Sequence, residues 1–334
     1  MNSIYHLLTG KRSIQTVQDV HLYQLDRFFG IFKKLNKPTF DQMVDELMEQ
    51  QLLSTPLKAT SVSKPTTKGM DWLEENEHHL PLAYFNGLQY NEIDVIFFER
   101  LLLILQVLTN LRMNHSSYIP VIDRPATTRW VKDYYQKNKL QVDIQLEKVY
   151  DELFSMLVTF REVEAEMFVD RLTGFQHYGM SVHQLANHYE ITVNDVQLLL
   201  TGMIHHMLGM IQRKTKEYPL LSELIEDLHI NGFITQSAQR TYELIEKGLS
   251  IDKIARHRNL TINTIYDHIV EIALYDADFS IEQFVSEEQQ NEILHIAKQL
   301  DTTRLKKIKD VVSEEISYFQ IRLALTSKDK LSMK

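Results

Sequence analysis

Residues 236–275 read QSAQRTYELIEKGLSIDKIARHRNLTINTIYDHIVEIALY, a run in which apolar residues recur at helical spacing with two interruptions. The pattern predicts a helix, a break at Gly248, a short second helix, a tight turn and a third helix. Glycine permits the left-handed backbone that commonly ends a helix, and the hydroxyls of Ser250 and Thr261 can cap the two helices that follow. The run therefore predicts a helix-turn-helix unit.

The same pattern occurs 69 residues earlier in the chain. Both copies fit G-[ML]-S-x3-[LI]-A-x4-[IL]-T-x3-[IV], and a further apolar position also agrees. The positions of the first copy are Gly179, Met180, Ser181, Leu185, Ala186, Ile191, Thr192, Val196 and Leu200, and those of the second are Gly248, Leu249, Ser250, Ile254, Ala255, Leu260, Thr261, Ile265 and Ile269. This agreement indicates a duplicated module that has diverged. Because a duplicated scaffold does not define an activity, function has to be inferred from the surface residues.

The composition is that of a globular and mainly α-helical protein. Of 334 residues, 44% are hydrophobic and 24% are charged, while 10 are glycine and 7 are proline. The chain has no cysteine, which excludes disulfides and thiolate metal sites and suits a reducing cytoplasm. The first residues lack a signal-peptide pattern, and the most apolar run, 95–108, is too short to span a bilayer. We therefore expect a cytoplasmic protein without a membrane segment.

Residues 1–78 predict a small winged-helix domain. Two amphipathic segments precede the run LLSTPLKATSVSKPTTKGMDWLEE at 52–75, which reads as a short hairpin followed by a closing helix. Lys58, Lys64 and Lys68 lie on the predicted wing, where contacts to DNA phosphates are expected. The alternative is that these lysines only solvate the hairpin and its edge.

Residues 79–142 predict a helical connector, with a long helix over 92–113 and a basic helix that starts at Pro125. The basic helix carries aromatic residues between cations, and such a composition can stack on unpaired bases. The same composition also arises where aromatics pack in a core and cations cover them, and this structural interpretation is favoured. The candidate DNA contacts of the connector are Arg124, Arg129 and Lys132.

Residues 143–216 predict one long helix, 143–175, followed by the first copy of the repeated module. From Ser181 to Ile211 this copy contains no lysine or arginine. A recognition helix without cations is a poor reader of a phosphate-lined groove, so we expect a protein-facing or internal surface. The candidate partner-binding residues are Val193, Asn194, Gln197 and Leu198.

Residues 217–334 predict the second helix-turn-helix copy and a C-terminal helical tail. The net charge of −9 does not favour DNA binding by itself, although local basic patches can bind phosphates in an acidic chain. Asp267 lies in the middle of the predicted recognition helix and would repel phosphate, so we expect DNA contact of low sequence specificity, or none. The candidate DNA contacts are Lys253, Arg256, Arg258, Asn263, Thr264 and His268 in the module and Arg304, Lys306 and Lys307 in the tail. The tail cations are equally compatible with an ordinary solvated face.

No catalytic pattern is present. The sequence lacks a phosphate-binding glycine-rich loop, GxSxG, HExxH and a recognisable pair of carboxylates, so we expect no enzymatic activity and no cofactor. The spacings of the 14 histidines match no zinc site, and no metal is expected.

The second module and the tail resemble the helix-turn-helix module at the C-terminus of many RecQ-type DNA helicases. The resemblance is carried by YELIEKGLSIDKIARHRNLTINTIYDHIVEIA at 242–273, by the frame around 288–297 and by IKDVVSEEISYFQIRLAL at 308–325. From IYHLLTGKRSIQTVQDVHLYQL at 4–25 onward, the whole chain is similar to the YpbB-type proteins of low-GC Gram-positive bacteria. These are stand-alone proteins encoded beside a short RecQ-like helicase.

This resemblance implies an accessory DNA-binding subunit that acts with a RecQ-type DNA helicase in DNA repair or recombination, as part of a hetero-oligomer. Its DNA would be double-stranded or a junction, held mainly through phosphates. Two alternatives stay open: a transcription regulator that reads a defined operator, and an adaptor that binds only protein.

Overall fold

The computed structural model describes residues 2–54, 63–77, 81–138, 141–228, 234–276 and 278–326. These residues are mainly α-helical, as the composition predicts, and the chain divides into two units. The larger unit consists of residues 1–11 and 26–230, and the smaller unit consists of residues 12–25 and 231–334. The smaller unit is therefore discontinuous in sequence. This division does not test the domain boundaries predicted at residues 78, 142 and 216, which stay predictions.

The larger unit contains most of the described helices. They are α1 (Asn2–Thr9), α3 (Lys37–Glu49), α4 (Thr67–Asn76), α5 (Gly87–Tyr90), α6 (Ile93–Arg112), α7 (Pro125–Asn138), α8 (Val142–Leu157), α9 (Glu162–Asp170), α10 (Val182–His188), α11 (Val193–Arg213) and α12 (Pro219–Glu223). Two short 3₁₀ segments, Asp26–Phe28 and Leu82–Tyr84, also belong to it.

The described residues of the smaller unit form one early helix and six late ones. They are α2 (Ile14–Leu22), α13 (Gln236–Glu246), α14 (Ile251–Arg258), α15 (Ile262–Tyr275), α16 (Glu287–Gln299), α17 (Leu305–Lys309) and α18 (Tyr318–Ala324). Val17 and Val20 of α2 are buried, and α2 packs against α15. The helix-turn-helix unit therefore draws part of its core from a segment more than 200 residues earlier in the chain.

The core of the larger unit surrounds α6, which is apolar on nearly all sides and fully buried at Phe97 and Leu101. Arg100 is also buried in this helix, where its guanidinium donates to Leu224 O at 2.7 Å and to both carboxylate oxygens of Asp227 at 2.5 and 2.8 Å. The guanidinium carbon lies 4.1 Å from the centre of the Trp130 ring. Because these partners replace water around a buried charge, Arg100 can be accommodated inside the core.

The predicted single helix over 143–175 is wrong, since the structure contains two helices there. α8 ends at Leu157 and α9 begins at Glu162. Between them, Phe160 turns into the core with 8% of its surface exposed. Arg161 caps α9, with its backbone N–H donating to Glu164 Oε2 at 3.2 Å. The apolar stripe continues through the break, so hydrophobic periodicity alone could not locate it.

The predicted wing of residues 1–78 is not supported, because the described residues of this region contain no strand. Leu53 and Pro65 form an isolated antiparallel bridge, while residues 55–62, with Lys58, lie outside the described residues. The predicted entry of the closing helix does occur: Thr66 Oγ1 accepts from Gly69 N at 3.0 Å and caps α4. An added Cβ at Gly69 would lie 2.1 Å from Leu52 O, so this position requires glycine.

The two copies of the repeated module share their local structure. Glu190 and Asn259, the corresponding residues of the two turns, both have left-handed backbones with φ of 55° and 53°. The next residue of each turn donates back to the alanine of the preceding helix, at 3.1 Å for Ile191 and 2.9 Å for Leu260. At two matched apolar positions neither residue has exposed surface: Leu185 corresponds to Ile254, and Val196 corresponds to Ile265. The predicted duplication is therefore present in the helix-turn-helix parts of both units.

Candidate nucleic-acid interface

The second helix-turn-helix is formed by α14 and α15, joined by a turn at Asn259. Ser250 is the N-cap residue of α14, but its hydroxyl does not form the predicted capping hydrogen bond. Thr261 Oγ1 accepts from Thr264 N at 3.2 Å and caps α15, as predicted. Ile254 and Ile265 are fully buried between the helices, while α13 packs across α15. Caps and buried residues thus place α15 as the third helix of the unit, which is the recognition helix in proteins of this type.

The most exposed residues of α15 lie in its first turn. Ile262 has 42% of its surface exposed and Asn263 is also exposed, while Thr264 is half-buried. On the adjoining helix, Lys253 and Arg256 are both exposed. The exposed side chains of α14 and of the first turn of α15 therefore include two cations and one amide, together with the carboxylate of Asp252. This arrangement can bind phosphates and contact few base edges.

His268 and Arg258, which the sequence suggested as DNA contacts, lie inside the unit. His268 is 8% exposed, and its Nδ1 lies 2.8 Å from Thr241 Oγ1 on α13. The Arg258 guanidinium donates to Ser237 O at 2.6 Å and to Thr241 Oγ1. Burial, followed by the charge of Arg258, lowers the pKa of the His268 imidazole below its ordinary value. Both side chains hold α13, α14 and α15 together, and their assignment as DNA contacts stays a prediction.

Asp267, whose carboxylate would oppose phosphate, is paired within the unit. Arg322 Nη1 of α18 donates to Asp267 Oδ1 at 2.7 Å. Arg322 also donates through Nε to Gln18 Oε1 at 3.2 Å, and Gln18 Nε2 donates to Arg322 O at 2.9 Å. Gln18 is 1% exposed and lies on α2. One arginine therefore connects the recognition helix to α2 and reduces the negative charge that α15 presents.

The remainder of α15 is covered by the tail. The ring of Tyr266 stacks on Phe319 of α18, with centroids 4.0 Å apart and planes inclined by 14°. Phe319 is buried. The tail is thus a structural part of this helix-turn-helix unit, and the residues of α15 beyond its first turn are not available as a long reading surface.

A second basic surface lies beside α17, where Arg304, Lys306 and Lys307 are exposed. Arg304 lines a groove of about 680 Å³ together with Tyr23 and His295. Tyr23 has 52% of its surface exposed, and its hydroxyl is 3.0 Å from Thr303 Oγ1. An exposed aromatic ring beside cations is a composition that binds unpaired bases. No local sequence pattern shows that α2 packs with the late helices, so Tyr23 could not be assigned to this surface from sequence.

The comparisons with known proteins agree with this architecture. A family model described as a helix-turn-helix domain matches residues 237–325, which span α13 to α18. Protein YpbB of Bacillus subtilis (strain 168) is 31% identical to the chain over 332 residues, covering 98% of this chain and 92% of that protein. The chain belongs to the YpbB family. No solved structure matches it.

The matched helix-turn-helix domain indicates DNA binding for this member of the YpbB family. The matched range leaves out residues 12–25, although α2 forms part of the same unit. The domain boundary drawn from sequence similarity is thus shorter than the folded unit.

The candidate DNA contacts of the larger unit are separated along the chain. Lys64 is exposed, whereas Lys68 Nζ donates to Gln50 O at 2.9 Å. In the connector, Arg124 forms an ion pair with Glu99 at 3.1 Å, while the exposed cations of α7 are Arg129 and Lys132, with Lys137. Trp130 and Tyr134 stack on each other with centroids 5.4 Å apart, and Tyr134 is buried. These aromatic rings therefore pack in the core, as the structural interpretation predicted.

The candidate partner surface on α11 is largely covered by the larger unit itself. Val193, Asn194, Gln197 and Leu198 are all half-buried. Val193 packs against the main core, and Leu198 packs against a separate apolar cluster that contains Phe32 and Phe40. The internal packing alternative thus accounts for the absence of cations here better than a large docking face does.

The described residues contain no cluster of three or more histidine and carboxylate side chains placed to hold a metal ion. His205 is 2% exposed; its Nδ1 accepts from Asn86 N at 3.2 Å, and its Nε2 lies 3.5 Å from Asp94 Oδ2. Asp94 is also paired with Lys33, 2.6 Å away. Burial lowers the pKa of His205, and this effect outweighs the opposing influence of Asp94. Among the same described residues, no helix combines the length and apolarity needed to cross a membrane.

Proposed function

We propose that this chain is a non-enzymatic, cytoplasmic DNA-binding protein that acts with a RecQ-type DNA helicase in DNA repair or recombination. The helix-turn-helix domain supports the DNA-binding part of this proposal. The resemblance of 242–273 and 308–325 to the C-terminal module of RecQ-type helicases supports the helicase part. The chain would supply this module to a helicase that lacks it.

The observation that carries the proposal is the open first turn of α15 beside the exposed cations of α14. Lys253 and Arg256 can contact phosphates on either side of a groove into which the first turn of α15 inserts. Asn263 is the one candidate residue of this turn that is both exposed and able to form a paired contact with adenine. A single contact of this kind gives weak sequence preference, so binding would depend mainly on phosphates.

The basic groove at Arg304 extends the proposed interface toward unpaired DNA. Its cations can track a backbone, while Tyr23 can stack on a base that has left the duplex. A fork or junction offers both duplex and unpaired bases. We therefore expect the chain to bind a forked duplex more tightly than a fully paired duplex of equal length.

The double substitution Lys253→Ala with Arg256→Ala tests the DNA interface. Each phosphate contact contributes about 0.9 to the slope of log affinity against log salt concentration, so losing two should reduce the slope by about 1.8. Fluorescence anisotropy with labelled duplexes of unrelated sequence measures it, and all duplexes should weaken alike. Arg240→Ala with Lys247→Ala is the matched control, since it removes two exposed cations from α13 and its C-cap in the same unit. Equal salt slopes for the two double variants would exclude this face as the DNA interface.

The helicase part has its own test. Co-purification with the neighbouring RecQ-type helicase, followed by unwinding of a forked duplex with and without this chain, should show association and a changed rate. Absence of both, together with strong preference for one sequence over random DNA, would instead identify a transcription regulator. If the chain binds no DNA at all, the adaptor that binds only protein becomes the preferred function.

A further inference from the structure

Helix α8 in the larger unit is apolar on two opposite faces. One face is buried, with Val149 and Met156 having no exposed surface. The other carries Tyr150, Phe154 and Val158 at intervals of four residues, with 64%, 57% and 63% of their surfaces exposed. Side chains four residues apart lie along the same side of a helix, so these three form one stripe. A helix that packs against only one neighbouring surface needs only one apolar face, so this second stripe requires an explanation.

The stripe forms the floor of two adjoining grooves. One has a volume of about 730 Å³ and the other about 880 Å³, and Phe154, Leu157 and Val169 line both. The rings of Tyr150 and Phe154 stack with planes inclined by 16°, which fixes the aromatic part of the floor. Val169 of α9 is 46% exposed. The grooves therefore form a continuous apolar surface between α8 and α9, of the kind that marks an interaction site on a protein surface.

The margin of this surface is acidic. Glu147 and Asp151 line the first groove, while Glu162 and Glu166 line the second, and all four are exposed. The arginine that lines the first groove, Arg112, is paired with Asp143 at 3.3 Å. A ligand in this groove would thus meet apolar side chains on the floor and carboxylates at both sides.

We propose that the α8–α9 groove binds a basic amphipathic α-helix of another protein. The apolar residues of such a helix, at positions i, i+3 or i+4 and i+7, would cover Tyr150, Phe154 and Val158. Lysine and arginine on its flanks would face the four carboxylates, which adds specificity and speeds association. A second copy of this chain fits less well, because a two-fold symmetric dimer through this surface would bring the acidic margin against itself.

This groove also provides the protein-docking surface that α11 does not offer. All of its lining residues belong to the larger unit, whereas the proposed DNA contacts on α14, α15 and α17 belong to the smaller unit. The inference does not rest on DNA binding. Loss of helix binding with intact DNA binding, or the reverse, would separate the two proposals.

The experiment uses the full chain and a phage-displayed library of 18-residue helical peptides. The library keeps an apolar stripe constant and varies the polar face. Before each selection on the unaltered chain, peptides that bind the Phe154→Asp variant are removed, so that only peptides that need the groove remain. The selected peptides are expected to carry net positive polar faces. A synthetic peptide of the most enriched sequence, measured by fluorescence anisotropy, should bind Phe154→Asp about tenfold more weakly or worse, since a charge in the centre of an apolar interface removes its main contact.

Two further variants control for folding and for charge. Ile119→Asp places the same charge on a residue of the larger unit that is 89% exposed and outside the groove, and it should bind as the unaltered chain does. Asp151→Lys with Glu166→Lys keeps the apolar residues and cancels the net charge of the four margin residues, so selection on this variant should no longer enrich basic peptides. Circular dichroism should be the same for all of these proteins.

Three results would overturn the proposal. One is selection that enriches no peptide beyond the Phe154→Asp background, and another is enrichment of acidic or neutral peptides on the unaltered chain. The third is dimerisation of the unaltered chain in light scattering that Phe154→Asp abolishes and Ile119→Asp does not, because the occupant would then be a second copy.

Discussion

Replacing either partner of the Asp267–Arg322 ion pair should lower the free energy of unfolding. The two replacements should, however, change the affinity for DNA in opposite directions. Arg322→Met removes the guanidinium and retains most of the volume of the side chain. Asp267→Asn removes the carboxylate and leaves Arg322 in place. Both variants lose the same ion pair of 2.7 Å, but only one leaves an unpaired negative charge on the recognition helix.

The stability costs of the two variants should differ. Side-chain exposure of 43% for Asp267 and 16% for Arg322 places the pair near the surface, where an ion pair contributes about 0.2–1 kcal/mol. Arg322→Met also removes the donor to Gln18 Oε1, and an unsatisfied polar atom on this buried side chain costs about 1–3 kcal/mol. We therefore expect a loss of about 1–4 kcal/mol for Arg322→Met and less than about 1 kcal/mol for Asp267→Asn.

The effects on DNA affinity should have opposite signs. At about 10 Å from a phosphate and in a water-like dielectric, one unit charge contributes about 0.4 kcal/mol, or about a twofold change in affinity. Arg322→Met leaves Asp267 uncompensated and should weaken binding about twofold at low salt. Asp267→Asn removes the repulsion and should strengthen binding by a similar factor. Both differences should shrink as salt screens the charges.

Anisotropy titrations of one duplex at about 50 mM and 200 mM salt measure the affinities, and urea denaturation measures the stabilities. Titrations are made well below the denaturation midpoint of each variant, so that only folded protein is compared. A change of affinity in the same direction for both variants would refute the reasoning, since the charge on α15 would then have no direct effect on DNA.

Two other predictions follow from the buried histidines and from α2. The pKa values of His205 and His268 lie below that of histidine in an unfolded chain, so both side chains can take up a proton when the protein unfolds. The free energy of unfolding should therefore be largest above about pH 6.5 and should fall as the pH decreases below that value. His268→Gln and His205→Gln should each make the melting temperature less dependent on pH between about 7.5 and 5, and unchanged dependence in both would contradict this. A fragment of residues 231–326 should melt at lower temperature than the same fragment joined to residues 12–25 by a flexible linker, because only the second contains Val17, Gln18 and Val20. A linked segment with Gln18→Ala and Val20→Ala is the matched control, and equal melting of all three fragments would show that α2 is dispensable.

Local signals predicted the helix-turn-helix units well. Hydroxyl caps at Thr192 and Thr261, with apolar residues at fixed spacing, act within one or two helical turns and can be read directly from sequence. The left-handed residues Glu190 and Asn259 occupy equivalent positions that the 69-residue repeat aligns. Interactions of short range in sequence thus determined this part of the fold.

Contacts between residues far apart in sequence were missed, because local signals act only within one or two helical turns. The outward assignment of His268 followed from the local pattern of the third helix, but Thr241 and Arg258 cover that side. The charge of Asp267 was identified correctly, whereas its partner Arg322 lies 55 residues away. The break near Phe160 was hidden by a continuous apolar stripe. In each case the deciding contact comes from another helix, and one sequence does not record which helices meet.

The discontinuity of the smaller unit has a consequence for biosynthesis. Residues 12–25 leave the ribosome about 300 residues before α18, and at about 5–20 residues per second this interval lasts roughly 15–60 s. During that time Val17 and Val20 have no permanent neighbours, while the larger unit can already form. Nascent chains therefore carry an early helix with an exposed apolar face that a chaperone can bind, and truncation of the chain before α15 would remove the helix against which α2 packs.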